Sequence, residues 1–210
     1  MKKILIVDDH AVVRDGVKKI FDEQGSGTFF GEASTGPEAL QIAQKEHWHV
    51  VVLDLSLGDS TGLDVLKELK QVRPKLPVLV LSMHSEAQYA RRAFKAGAAG
   101  YITKDSSRTE LLDAIHRVIE GRRYVSSEMA EKLVTDLNDG GFSSPHEILS
   151  DREFEVMCLI ASGKTLGEIA QLLSISDKTV STYRARILEK LKIRTSAEIV
   201  HYAFQNKLVG

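Results

Sequence analysis

Two domains of different class are predicted: an α/β domain on a doubly wound, five-stranded parallel sheet, then an all-α domain of four helices. Three observations carry this prediction. Short apolar runs alternate with amphipathic helical segments through residues 1–121, as βα units on a parallel sheet do. The run Val50-Val51-Val52-Leu53-Asp54-Leu55 shows little alternation, which suits a strand covered on both faces. From Leu149 onward the strand signals stop, and helix starts of the form Ser/Thr-x-x-Glu repeat.

In chain order, residues 3–7 form an apolar strand that stops at Asp8-Asp9. The helix after it carries Val12, Val13, Val17, Ile20 and Phe21 at roughly helical spacing and ends near Gly25. Residues 28–32 are a second strand. Gly36-Pro37 opens a helix through Ala39, Leu40, Ile42 and Ala43, with proline in the first turn, where it is tolerated. The third strand ends at Asp54, and a turn-prone segment from Ser56 to Gly62 follows. Leu63, Val65, Leu66 and Leu69 mark the next helix, closed by Arg73-Pro74. Residues 77–81 are a fourth strand ending at Ser82, and a helix through Tyr89, Ala90, Ala93 and Phe94 stops at Gly97. Residues 100–103 are the fifth strand, ending at Lys104, and residues 111–119 form a last helix before Gly121.

Residues 122–146 read as a connector. An amphipathic helix over 126–137 places Met129, Ala130, Leu133, Val134 and Leu137 on one side. The glycine- and serine-rich stretch 138–145 follows, either a flexible linker between domains or a surface loop. Residues 147–210 form the second domain. Ser150 with Glu153, Thr165 with Glu168, and Thr195 with Glu198 read as three capping boxes, and Gly163 ends the first helix. The helices over 165–173 and 177–191 are joined by Ser174-Ile175-Ser176, which is helix-turn-helix spacing. Ala170 is small where they cross, and Ile175 and Val180 are apolar pins.

Composition narrows the function classes. At 210 residues, 43% hydrophobic and 27% charged, the chain is ordinary for a globular protein. It has no apolar run of membrane-spanning length, and Met1-Lys2-Lys3 leads into a strand rather than a signal peptide, so a cytoplasmic protein is expected. The single cysteine, Cys158, fits a reducing compartment and sits among Val156, Met157, Leu159 and Ile160 as a core thiol. The net charge of −1 hides an asymmetry: residues 177–194 hold Lys178, Arg184, Arg186, Lys190, Lys192 and Arg194 against Asp177 and Glu189. His47-Trp48-His49 has no third ligand near it in sequence and reads as loop chemistry, not a metal site.

Right-handed crossovers put successive strand ends on one edge of the sheet. That edge gathers Asp8, Asp9, Asp54, Ser82 and Lys104. Crowded carboxylates repel, a divalent cation relieves the repulsion, and hard oxygen ligands suit Mg²⁺. Lys104 and the Ser82 hydroxyl are then placed to meet an anion. These groups suit phosphoryl transfer, in which Asp54 as nucleophile gives an aspartyl phosphate.

On these residues, with Tyr101 on the fifth strand, residues 1–121 resemble the flavodoxin-like receiver domain of two-component response regulators. The resemblance implies Asp54 as phosphoacceptor from a histidine kinase or phosphotransfer protein, with Asp8, Asp9 and Asp54 arranging Mg²⁺. It implies Ser82 and Lys104 as groups that hold the phosphoryl oxygens, and Tyr101 as a switch partner of Ser82. Gly58 stands where the family usually has proline, and Asp105 where many receivers have proline after the lysine, so no cis peptide is expected there. Ser56 and His84 occupy positions that in receivers tune phosphoryl lifetime.

In the helix over 177–191, Val180, Ile187 and Leu191 share an inward face flanked by Tyr183. Lys178, Ser181, Thr182, Ala185, Arg186 and Glu189 lie on the other side, a mix of small, hydrogen-bonding and cationic groups that suits a major groove. A bundle with a solvated basic face, or a protein-binding module, also fits these residues alone. Residues 149–206 further resemble the LuxR-type helix-turn-helix domain, on Leu149-Ser150-Asp151-Arg152-Glu153, Glu168-Ile169-Ala170, Lys178-Thr179-Val180-Ser181 and Lys190-Leu191. The whole chain resembles the NarL/FixJ response regulators. That likeness implies double-stranded DNA as partner, read by Lys178, Ser181, Thr182, Arg184, Ala185, Arg186 and Lys190. Ser181 replaces a lysine common in the family. The last helix, with Ser196, Ile199 and Val200, is implied in homodimerisation when the chain is phosphorylated or DNA-bound. No membrane partner is expected. A turnover phosphohydrolase is disfavoured, because Ser56 stands where such enzymes commonly carry a second carboxylate.

Overall fold

The structure, a computed structural model, describes residues 1–22, 27–57, 60–83, 87–127, 129–131, 134, 145–206 and 208–209. Gly25, Gly58, His84 and most of the predicted connector and linker lie outside the described residues. The chain forms two compact units, Met1–Lys132 and Leu133–Gly210.

In the first unit, strands β1 (Lys2–Val7), β2 (Thr28–Ala33), β3 (Val50–Asp54), β6 (Val78–Ser82) and β7 (Gly100–Thr103) form one sheet in the order β2-β1-β3-β6-β7. All four pairings are parallel. Every residue of β3 and β6 is buried, which is why these runs lack alternation. Ile4, Ile6, Val50, Val52, Leu79 and Leu81 face one side and pack on Val17 and Phe21 of α1 (Ala11–Asp22) and on Leu111, Ile115 and Val118 of α5 (Arg108–Ile119). The alternate residues of these strands point to the opposite side. There α2 (Gly36–Lys45), α3 (Gly62–Val72) and α4 (Ala87–Lys95) lie against the sheet.

Three details depart from the expectation. The segment after Asp54 is a small antiparallel ribbon, β4 (Ser56–Leu57) with β5 (Ser60–Thr61), where a simple turn was expected. The Gly62 N–H closes it on the Leu55 carbonyl at 2.8 Å, and a Cβ at Gly62 would stand 2.1 Å from the Asp54 carbonyl oxygen. Helix α5 begins three residues earlier than its apolar pattern, at a Ser107–Glu110 capping box. Of the predicted connector helix, residues 127, 129–131 and 134 are helical; Met129 is buried but Val134 is exposed, so the apolar side does not run through Val134.

From Pro145 on, the described residues of the second unit form a 3₁₀ turn, Pro145–Ile148, and four helices: α6 (Asp151–Ala161), α7 (Leu166–Leu172), α8 (Asp177–Leu191) and α9 (Ser196–Gln205). Helix α6 is central, contacting α7, α8 and α9. Ser150 and Thr165 form full capping boxes, but the third is half formed: Glu198 reaches past Thr195 to accept the Arg194 N–H at 3.1 Å. Cys158 is buried, as its apolar neighbours require. The α7–α8 turn places Ser174 at φ 52, and the Ile175 N–H returns to the Ala170 carbonyl at 3.0 Å. Among the described residues no helix is long and apolar enough to cross a membrane, and no peptide bond is cis.

Candidate functional site

The ends of β1, β3, β6 and β7 meet at one edge of the sheet. Asp8 follows β1, Asp54 closes β3, Ser82 closes β6, and Lys104 follows β7. Ladder-like hydrogen bonds extend the strands just far enough to fix these residues: the Asp8 N–H donates to the Ala33 carbonyl at 3.1 Å, and the Lys104 N–H to the Ser82 carbonyl at 2.8 Å. Asp8, Asp54, Ser82 and Tyr101 are all buried to within 2%. Asp9 is exposed, at the solvent side of the cluster.

Lys104 is the hub. Its ammonium donates to Asp8 Oδ2 and to Asp54 Oδ2, both at 2.7 Å. Burial works against its charge, yet the hydrogen bonds to Asp54 and Asp8 outweigh it and leave its pKa raised. Asp54 stands in the opposite balance: burial pushes its carboxyl up to about 6, while the Lys104 ammonium and the Ser56 backbone N–H pull it down and Asp8 pushes it up again. The second oxygen, Asp54 Oδ1, is buried and has no hydrogen-bond partner. A buried, anionic, unpartnered oxygen is costly and calls for a cation or an electrophile. Asp8, Asp9, His10 and Asp54 each place one donor atom within 4.8 Å of the others, so the residues fit a hard divalent cation. His10 was not among the expected ligands; its signal was its position directly after the Asp8-Asp9 pair.

His47, Trp48 and His49 serve local packing. His49 Nδ1 accepts the Lys3 N–H at 3.0 Å, and the Trp48 indole donates to the Ile42 carbonyl while stacking on Phe29.

In the second unit, α8 buries Val180, Ile187 and Leu191 and exposes Lys178, Ser181, Thr182, Ala185 and Arg186. The two remaining cations of the predicted set are engaged inside the unit. Arg184 Nε donates to Ser196 Oγ at 2.7 Å, which holds α8 to the start of α9. Lys190 pairs with the buried Glu153 at 2.6 Å, and the same carboxylate oxygen caps α6 by accepting the Ser150 N–H at 2.7 Å. Burial opposes the Glu153 charge, but Lys190 and Ser150 outweigh it and hold its pKa below the usual value.

Of the three residues implied in dimerisation, one lies away from the surface. Ile199 is fully buried in the helical core, so it cannot face a second chain, and the Ser196 hydroxyl is taken by Arg184. Val200 is half-buried, and the large apolar residue that α9 exposes is Phe204.

Comparison with known proteins agrees with this layout. Residues 4–116 match the family model for the response regulator receiver domain. Residues 147–203 match the model for bacterial regulatory proteins of the luxR family. Response regulator UvrY of Escherichia coli K12 is 32% identical over 209 residues, covering 99% of this chain and 96% of that protein. A solved structure of the Salmonella typhimurium RcsB response regulator is 25% identical, with TM-score 0.59 over 97% of this chain and 98% of that one. A structure of two RcsB dimers bound to two parallel DNAs is 25% identical, with TM-score 0.60 over 96% of this chain and 97% of that one.

Proposed function

The chain belongs to the NarL/FixJ-type response regulators, with a receiver domain and a luxR-type DNA-binding domain, and from that premise we propose that phosphorylation of Asp54 controls how α8 engages DNA. The observation that carries the proposal is the Lys104 bridge to Asp8 and Asp54, which leaves Asp54 Oδ1 buried and unpartnered at the strand ends.

The phosphoryl donor is a phosphohistidine on a histidine kinase or phosphotransfer protein. An Asp54 carboxylate oxygen attacks phosphorus, a P–O bond forms, the P–N bond breaks, and the imidazole leaves. At about 6, the pKa of Asp54 keeps most of the carboxylate ionised at neutral pH. Asp8, Asp9 and Asp54 would hold Mg²⁺, which when bound would neutralise charge on the transferring oxygens. Lys104 moves from the two carboxylates to a phosphoryl oxygen, and the Ser82 hydroxyl donates to another. Tyr101, buried beside this edge on β7, is the element whose rearrangement carries the change outward.

On the DNA side, α8 enters the major groove with Lys178 and Arg186 toward phosphates and Ser181, Thr182 and Ala185 toward bases. Arg184 and Lys190 hold the helix in place. A homodimer reads two half-sites, with Val200 and Phe204 of α9 at the contact. The setting is cytoplasmic.

The first test is labelling. Full-length protein incubated with acetyl phosphate and Mg²⁺ gains the mass of one phosphoryl group, and Asp54→Ala gains none. Labelling of the variant at the wild-type level overturns the assignment.

A further inference from the structure

We propose that Tyr124 is the output latch of the first unit. It fastens the start of the connector to β7, and through that pairing the strand that carries Tyr101 and leads to Lys104 passes the state of Asp54 onward. The inference rests on the phosphorylation reading and adds the segment by which the signal leaves the receiver domain.

The first unit does not stop with α5. It runs to Lys132, whereas α5 ends at Ile119. Gly121, at φ 79, is the left-handed residue that turns the chain back, and the Arg122 N–H closes the turn on the Arg117 carbonyl at 2.9 Å. The returning chain meets β7, the last strand of the sheet. There the Tyr124 N–H donates to the Ala99 carbonyl at 3.1 Å, and the Tyr124 carbonyl accepts the Tyr101 N–H at 3.0 Å, a parallel bridge opposite Gly100. Tyr124 is 8% exposed and belongs to the same core cluster as Leu111, Ile115 and Val118 of α5, with the Arg117 guanidinium 6.0 Å from its ring centre. Gly100 leaves room for this approach, because a Cβ there would stand 3.2 Å from Tyr124 Cβ. Just beyond, the Ser126 hydroxyl accepts the Met129 N–H at 3.2 Å and the Ser126 carbonyl accepts the Ala130 N–H at 2.9 Å, which starts the connector helix.

Tyr101 joins the two functions. It is buried beside the phosphorylation edge, and its backbone N–H is the donor that holds Tyr124. Just past the end of the same strand, the Lys104 N–H is tied to the Ser82 carbonyl. A polar cavity of about 450 Å³ lies between this end of β7 and the connector, lined by Thr103, Asp105 and Ser106 before it and by Val125, Ser126 and Ser127 beyond Tyr124. The loop around Lys104 thus has room to shift without striking the connector, and its movement reaches the connector through the backbone pairing at Tyr124. A bridge this short opens at lower cost than the rest of the sheet, which suits an element that must respond.

The experiment is amide hydrogen exchange at Tyr101 and Tyr124 in the full-length protein, with and without acetyl phosphate and Mg²⁺. The DNA affinities of wild type, Tyr124→Phe and Tyr124→Pro are then measured under the same two conditions. Phosphorylation should change exchange at both amides by about tenfold or more. Tyr124→Phe keeps the backbone bridge and the buried ring, and should respond as wild type does. Tyr124→Pro removes the N–H that reaches Ala99; it should still gain one phosphoryl group by mass, while its DNA affinity changes by less than about twofold on phosphorylation. Unchanged exchange at both amides overturns the proposal, as does a phosphorylated Tyr124→Pro that responds as fully as wild type, or a Tyr124→Phe that does not respond. Wild type whose amides respond but whose DNA affinity does not would strike the phosphorylation reading and leave the latch standing.

Discussion

The carboxylate edge of the first unit and the exposed face of α8 are both built from charged residues, and they answer to opposite physics. At the edge, Asp8 and Asp54 are buried and Lys104 is half-buried; they come from three strand ends, and the lysine binds both carboxylates and so holds them in place. On α8, Lys178 and Arg186 are exposed on a single helix. Buried charges couple strongly and trade stability for chemistry, whereas exposed charges couple weakly and are free to be spent on binding. Substitutions at the edge should therefore move stability, and substitutions of the exposed cations Lys178 and Arg186 on α8 should move affinity alone.

The strongest break is Lys104→Met. It strands two buried carboxylates and is expected to destabilise the first unit by about 3–5 kcal/mol, read by urea unfolding at pH 7.5 without metal. An effect below about 1 kcal/mol would mean that the edge is solvated like a surface.

Next comes Asp54 and its pH dependence. Its pKa is raised from 3.8 to about 6 in the folded protein, so folding favours the protonated form. The stabilisation it gives is fully present below about pH 4 and is lost as pH rises through about 6. A shift of this size corresponds to about 3 kcal/mol. Asp54→Asn should thus make the metal-free protein more stable at pH 7.5 by up to that amount and change little at pH 4. A variant less stable at pH 7.5 would reverse the sign and contradict the burial argument.

Smaller effects belong to the helical unit. Lys190→Ala leaves Glu153 buried without its cation and should cost about 1 kcal/mol, discounted for the partial exposure of the lysine. Ser174→Gly relieves a left-handed turn residue and should raise stability by about 0.5–1 kcal/mol without altering DNA affinity, measured by thermal unfolding and fluorescence anisotropy. Lys178→Ala is at the far end of the comparison: stability within about 0.5 kcal/mol of wild type, with the salt slope of DNA binding lowered by about 1. A large loss of stability in Lys178→Ala would erase the contrast between the two regions.

The contrast also explains what the sequence could show. Strand ends of a parallel sheet converge by topology, so Asp8, Asp54, Ser82 and Lys104 were legible as one site from their places after four apolar runs. The Lys104 bridge and the inward turn of His10 were not, because side-chain reach across the edge is not written in spacing. The ribbon after Asp54 escaped because two-residue strands carry no periodicity, although Gly62 marked its end. The Ser107–Glu110 box is legible as Ser-x-x-Glu, whereas the apolar pattern of α5 begins only at Leu111. In the helical unit, periodicity correctly turned Val180, Ile187 and Leu191 inward. It does not show which polar residues a neighbouring helix claims: Arg184 and Lys190, implied by the resemblance as DNA contacts, are engaged within the unit, and Ile199, implied as a dimer contact, is buried.

The central claim is that the state of Asp54 sets the affinity of α8 for DNA. Its most direct measurement is the affinity of full-length protein for a duplex selected from a random pool, at fixed salt, with and without acetyl phosphate and Mg²⁺. Wild type should tighten by about tenfold or more on phosphorylation, within the usual range of coupling between distant sites, and Asp54→Asn should not respond. An unchanged wild-type affinity, or an equal gain in Asp54→Asn, would contradict the account.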